Sequence, residues 1–233
     1  MNKAKAPVLF VGNHFISDHT NQNVTHALMS RLVGRNWEIH STSHRQNKAL
    51  RLLDMLLTIY KRRKVYQIAE VDIFSGLAFN WGELCVNLLK LLGKPVILTL
   101  HGGNLPIFFR NHPDRMQRLL RKVEIVVSPS PYLKTILESI RSDIVVIPNS
   151  IIISAYPYVH RKSPKSRLVW LRAFHKIYNP RMVPEIIHLL IKDLPEVKFT
   201  MIGPDKGDGS FEKTLKEAKL LGVKDRIEFP GFV

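Results

Sequence analysis

Residues 96–104, "VILTLHGGN", join an apolar run to an imidazole and two residues without side chains. His101 can hydrogen-bond a hydroxyl or a phosphate, or act as a base near neutral pH. Gly102 and Gly103 allow positive φ and let backbone approach a ligand closely. The competing reading is a histidine that only caps a turn. A second polar cluster, "VGNHFISDHTNQNV", follows the first apolar run and holds Gly12, His14, Asp18 and His19. It leads into a helical pattern, whose first backbone N–H groups favour an anion. It lacks the G-x-G-x-x-G dinucleotide fingerprint, and a solvated surface loop is the alternative. The third cluster lies late in the chain. In "LRAFHKIYNP" Arg172 stands just past an apolar run, with Lys176 in the same loop, and in "MIGPDKGDG" Gly203 ends the next run. A guanidinium forks onto phosphate oxygens, Lys176 adds a point charge, and Gly203 lets a ligand come close. A basic loop that is merely solvated fits the same residues. No P-loop, HExxH, GxSxG or CxxC occurs, and the ten histidines lack metal-ligand spacing. No metal and no cofactor is expected.

These clusters fall at the ends of strand-like runs. "APVLFVG", "WEIHSTS", "VDIFSG", "PVILTL", "EIVVSPS" and "DIVVIPNS" read as strands. Helical patterns separate them: "NQNVTHALMSRLVGRN", "NKALRLLDMLLTIYKRRK", "NWGELCVNLLKLLG" and "YLKTILESI". Gly93 stands at a helix C-terminus, and Pro95 cannot extend that helix. Such alternation implies an α/β fold with a mostly parallel sheet covered on both faces. Ligands bind at the carboxyl ends of such sheets. Residues 151–166 break the rhythm, so the expected division is a domain over 1–150, a linker over 151–166 and a second unit over 167–233. The second unit reads as three strands, beginning with "RLVWLRAF", "VKFTMIG" and "RIEFPGFV", and two helices near 180–193 and 210–221. So few strands leave an edge and a bare apolar face.

The 233 residues carry a net charge of +16. That excess favours anions: nucleic acid, anionic lipid or phosphorylated small molecules. No recognised nucleic-acid motif or aromatic-basic interleaving supports a specific nucleic-acid partner. The stretch "RLLDMLLTIYKRRK" suits an anionic lipid surface, or it is a core helix with cations at its C-terminus. No run reaches the roughly 18 apolar residues of a membrane span. The single cysteine, Cys85, sits in an apolar run and is expected to be a buried thiol, with a reducing cytosol as the compartment.

Together these residues resemble the retaining GT-B glycosyltransferases of family 4. "VILTLHGGN" resembles the family's strand-then-"HG" motif, and "IVVSPSPYLKTIL" its "vv.pS" strand and helix. "VVIPNSI" is similar to its "vipNGvd" entry to the second domain, with Ser150 in place of the glycine. "LVWLRAF…YNP" resembles "i.fvGRl…KG", and "VKFTMIGPDKGDGSFEKTLKEAKLLGVKDRIEFPGFV" resembles the segment that ends in "f.G.v". The resemblance implies two Rossmann-like domains, the second incomplete. It implies transfer of a sugar from a nucleotide-sugar to a glycan or lipid-linked acceptor with retention, without a metal. It places His101 by the donor sugar as the catalytic position. Gly12 and its loop would lie by the donor phosphates and the acceptor, with Gly102 and Gly103 beside them. Arg172 would sit on the diphosphate, and Gly203 on the donor side. The family pairs this arginine with a lysine before a glycine; here Lys176 and "YNP" occupy that stretch. Such enzymes build surface polysaccharide or glycolipid, which implies a cytoplasmic protein peripheral at the inner membrane face. The family's second domain continues to paired glutamates (E-x7-E), whereas this chain ends at Val233. The expectation is a truncated chain that is inactive or incomplete as it stands. The alternative is a non-catalytic binding module, or a remnant that works only with a partner chain.

Overall fold

The computed structural model describes residues 5–12, 24–43, 45, 47–151, 153–160, 162–163 and 165–232. The chain divides into two compact units, Met1–Ala155 and Tyr156–Val233. In the first unit the strands are β1 (Val8–Val11), β2 (Ile39–Ser41), β3 (Ile68–Ile73), β4 (Val96–Leu100), β5 (Ile125–Ser128) and β6 (Val145–Val146). They form one sheet in the order β2-β1-β3-β4-β5-β6, and every pairing is parallel. The helices are α1 (Val24–Val33), α2 (Lys48–Lys61), α3 (Leu77–Leu91), α4 (Leu105–Asn111), α5 (Pro113–Lys122) and α6 (Pro131–Leu137).

Local chemistry sets several of these ends. Asn47 caps α2, its Oδ1 accepting from the N–H groups of Ala49 and Leu50. Ser130 caps α6, and Pro131 takes the first helical position, where no N–H is needed. Behind α3, Gly93 lies at φ +66°, and the N–H groups of Gly93 and Lys94 close on the carbonyls of Lys90 and Leu89. The segment between β4 and β5 holds two helices where the sequence reading placed no element. Their signal is the capping proline pattern and, in α5, Met116, Leu119 and Leu120 on one buried face.

The main core joins Leu9 and Val11 of β1, Val71 and Ile73 of β3 and Leu98 and Leu100 of β4 to α2, α3, α5 and α6. Alternate residues of β1, Val8 and Phe10, pack with Met29 of α1 in a separate cluster. Cys85 lies fully inside the main core, as expected, and burial pushes its thiol up to about 12. From β1 the chain passes to β2 on one side and then to β3 on the other. The strand order therefore reverses between β1 and β3, the kind of switch point at whose carboxyl ends such sheets bind ligands.

The second unit holds β7 (Arg167–Leu171), β8 (Lys198–Ile202) and β9 (Ile227–Gly231) in a parallel sheet of that order. Its helices are α7 (Met182–Leu190) and α8 (Ser210–Leu220). Phe174 is the centre of its core, in ring contact with Trp170, Phe211 and Phe229.

Candidate functional site

At the β1/β3 switch point the ends of β3 and β4 and the start of α1 bring several side chains together. Glu70 and Asp72 alternate along β3 and so share one face of the sheet. The register pairs Asp72 with Thr99 of β4, which puts His101, two residues on, at the same end. The imidazole Nε2 lies 2.6 Å from Asp72 Oδ1. The Thr25 hydroxyl of α1 donates to Asp72 Oδ2 at 3.0 Å. The side chains of His101 and Asp72 are 13% and 3% exposed. Phe74 stacks on the imidazole at 5.0 Å, with the rings 19° apart. The His101 side chain thus reaches across to β3.

Gly12 owes its identity to this carboxylate. A Cβ there would stand 2.7 Å from Asp72 Oδ2, so a side chain would push the acid off its position. The Gly12 N–H and carbonyl meet the Thr42 hydroxyl at 3.2 and 3.3 Å. His14, Asp18 and His19 lie outside the described residues. Gly102 takes φ +89°, and its carbonyl accepts from Leu105 N–H at the start of α4. A Cβ on Gly103 would meet nothing within 4 Å.

Glu70 is buried, at 6% exposure, and Thr99 hydrogen-bonds its carboxyl. Its Oε2 has no hydrogen-bond partner among the described residues. Burial, and then the negative charge of Asp72, hold its carboxyl protonated well above the usual range. Sequence reasoning passed over both acids. Two carboxylates at alternate positions of an otherwise apolar strand were the available signal, since an apolar strand interior seldom takes an acid.

In the second unit the residues after β7 and β8 are stitched together. Arg172 N–H donates to Ile202 O, Phe174 N–H to Pro204 O and Lys206 N–H to Phe174 O. Arg172 is exposed, its guanidinium 5.7 Å from the centre of the Tyr178 ring. Gly203 has a structural reason that the sequence does not show: at φ +152° its Cβ would stand 1.8 Å from the Arg172 carbonyl oxygen. The glycine therefore makes room for the neighbouring chain. Lys176 is exposed, and its backbone N–H donates to Asp208 Oδ2 at 2.9 Å. That N–H and Ser210 hold the Asp208 carboxyl down to about 2. An anion approaching Lys176 therefore meets a fixed carboxylate from the neighbouring β8–α8 loop. Among the described residues no three His, Cys, Asp or Glu side chains group as a metal site.

Parallel six-stranded topology, a strand-order switch point and a basic strand-end loop in a second parallel unit define a GT-B type of protein. The family model described as Glycosyltransferase Family 4 matches residues 22–155, more than half of the chain, and the chain belongs to that family. A search of curated proteins gives no match. Among solved structures, HepE of Anabaena, in complex with UDP and glucose, is similar with a TM-score of 0.64 at 12% identity, over 98% of this chain and 70% of HepE. A glycosyltransferase from Rickettsia africae matches with a TM-score of 0.59 at 13% identity, over 98% of this chain and 69% of that one. A Listeria monocytogenes protein described as a UDP-N-acetylglucosamine 2-epimerase reaches 0.58 at 12% identity, over 99% and 70%. At these identities the likeness is one of fold, and a fold of this kind hosts more than one reaction.

Proposed function

We propose that this chain serves in transferring a sugar from a nucleotide-sugar donor to a glycan or lipid-linked acceptor, with retention at the anomeric carbon. The observation that carries the reading is the His101–Asp72 pair at the β1/β3 switch point of a Family 4 chain. The UDP bound to HepE supports a uridine diphosphate donor. In the reaction the bond from the anomeric carbon to phosphate breaks, and its electron pair leaves with the nucleoside diphosphate. An acceptor oxygen bonds to that carbon, and its proton passes to the departing phosphate oxygen. His101 hydrogen-bonds a sugar hydroxyl, while Gly102 and Gly103 leave backbone open to the ligand and Gly12 keeps room for the Asp72 carboxylate beneath it. Arg172 offsets charge on the departing diphosphate, with Lys176 and Gly203 in the loops beside it. The donor is a substrate, and the positive charge comes from side chains without a metal.

The acceptor is proposed to lie at an anionic membrane face, with the protein on its cytoplasmic side. The support is α2. Leu50, Leu53, Leu57 and Tyr60 recur at helical spacing and are about half exposed, while Met55 and Ile59 are buried on the other side. Lys61, Arg62, Arg63 and Lys64 follow. An apolar stripe that ends in cations suits anionic headgroups. Among the described residues no helix is long and apolar enough to cross a membrane.

Calorimetric titration with UDP, followed by transfer assays with UDP-glucose as probe donor, tests the reading. UDP is expected to bind, and Arg172→Ala to weaken binding about tenfold or more through a lost charge-assisted contact. His101→Ala should abolish transfer with the fold intact. Failure to bind UDP, or an Arg172→Ala titration identical to the parent, overturns the reading. A non-catalytic binding module would take up UDP yet leave UDP-glucose unconsumed.

A further inference from the structure

We propose that Asp72 is the positioning residue for His101, and that Glu70, buried on the same face of β3, is its partner in a carboxyl pair. The proposal rests on the reading of His101 as the group that meets the sugar. Three observations carry it. The 2.6 Å contact from His101 Nε2 to Asp72 Oδ1 is short for N–H···O and lies away from water. It places the proton on Nε2 and leaves Nδ1 as the ring atom with a free lone pair. Among the described residues no hydrogen bond reaches Nδ1. Phe74, stacked on the ring, restrains the remaining rotation.

Asp72 is itself fixed from several directions. Its Oδ2 takes the Thr25 hydroxyl, and Gly12 at the end of β1 leaves just enough room for the carboxylate. Both oxygens are therefore in use, and the acid has no alternative orientation that keeps its bonds. An acid so thoroughly held, with one oxygen given to an imidazole at a strand end, acts on the imidazole more than on the fold.

Glu70 is the third observation. A buried polar atom without a partner calls for an explanation, and Glu70 Oε2 is one. The groups around it are Thr99 of β4, which hydrogen-bonds it, Asp72 on its own strand, and through Asp72 the Thr25 hydroxyl of α1 and His101. An apolar residue would fill the position at less cost. An uncharged acid there lines the underside of Asp72 with a polar group, yet adds no second anion to compete for the imidazolium or imidazole proton.

The test uses the full chain with 15N-labelled histidine. Long-range proton–nitrogen correlation spectra near neutral pH read the His101 tautomer directly. The parent should show His101 protonated on Nε2, and Asp72→Asn should lose that preference. A parent protonated on Nδ1 alone, or an Asp72→Asn spectrum identical to the parent, overturns the proposal. Should Asp72→Asn fail to fold, Thr25→Val retains the acid but frees one oxygen, and it should broaden or shift the His101 signals; unchanged signals count against the proposal. Infrared difference spectra, parent minus Glu70→Gln, should contain the C=O stretch of a protonated acid; a carboxylate band in its place overturns the Glu70 arm. With UDP-glucose as probe, Asp72→Asn should slow turnover about a hundredfold, partly restored by Asp72→Glu. The spectra need no turnover, so loss of the transfer reading and loss of this proposal are told apart.

Discussion

Replacing Glu70 by glutamine keeps the shape of the side chain and its contact with Thr99 but removes the titrating proton. In the folded parent the carboxyl holds its proton well above the ordinary value of 4.5, because it is buried and faces the charge of Asp72. The unfolded chain releases that proton near the ordinary value. Between the two values the folded state binds more protons than the unfolded state, so stability falls as pH rises. The slope approaches about 1.4 kcal/mol per pH unit for one group. That slope is a ceiling, and even a single pH unit at it is a sizeable fraction of a domain's stability. The Glu70→Gln chain has no such proton and is spared the loss. The difference between the two proteins should therefore be smallest near the ordinary value and grow in favour of the variant as pH rises. Urea unfolding at about pH 5, 6 and 7 measures it. A Trp170→Phe background leaves Trp37 and Trp81 as reporters of the first unit. Groups such as Asp208, whose lowered value gives the opposite slope in the acid range, are common to both proteins and cancel. Parallel stability curves across the range would mean that Glu70 ionises in the folded state as it does in the unfolded one. Burial would then not govern the ionisation of Glu70.

Two further expectations concern the second unit and α2. Gly203→Ala should destabilise the second unit by about 2–4 kcal/mol, since the new Cβ meets the Arg172 carbonyl in a strained backbone conformation. A lowered unfolding midpoint followed by Trp170 fluorescence, with Trp37 and Trp81 changed to Phe, checks it, and an unchanged midpoint refutes it. At low salt the parent should sediment with vesicles of mixed phosphatidylglycerol and phosphatidylcholine but not with phosphatidylcholine alone. Leu53→Glu with Leu57→Glu should stay in the supernatant; a parent that ignores anionic vesicles removes the membrane reading.

The strand-and-helix alternation was legible because it is a local property. Apolar residues two or three to four apart mark strand or helix whatever the rest of the chain does. That placed β1, β3, β4, β7 and β8, put His101, Arg172 and Gly203 at strand ends, and gave the α/β class. It read β6 too long: Val145–Val146 pair, and Pro148, which has no N–H to donate, lies just past them. It also passed over α4 and α5, where polar and basic residues thin the apolar spacing. Asp72 and His101 are 29 positions apart. Nothing local says that they touch, because their meeting depends on the parallel register of β3 on β4. The same holds for Gly203, read as open to a ligand until the chain after β7 was seen to occupy the space of its missing side chain. By itself the sequence determined which residues lie at the carboxyl ends of strands, since periodicity is written within a few residues of each position. Only the tertiary structure decided that an acid from β3, a threonine from α1 and a glycine from β1 converge on one imidazole. That choice rests on strand order and register, which are fixed by burying the whole sheet at once.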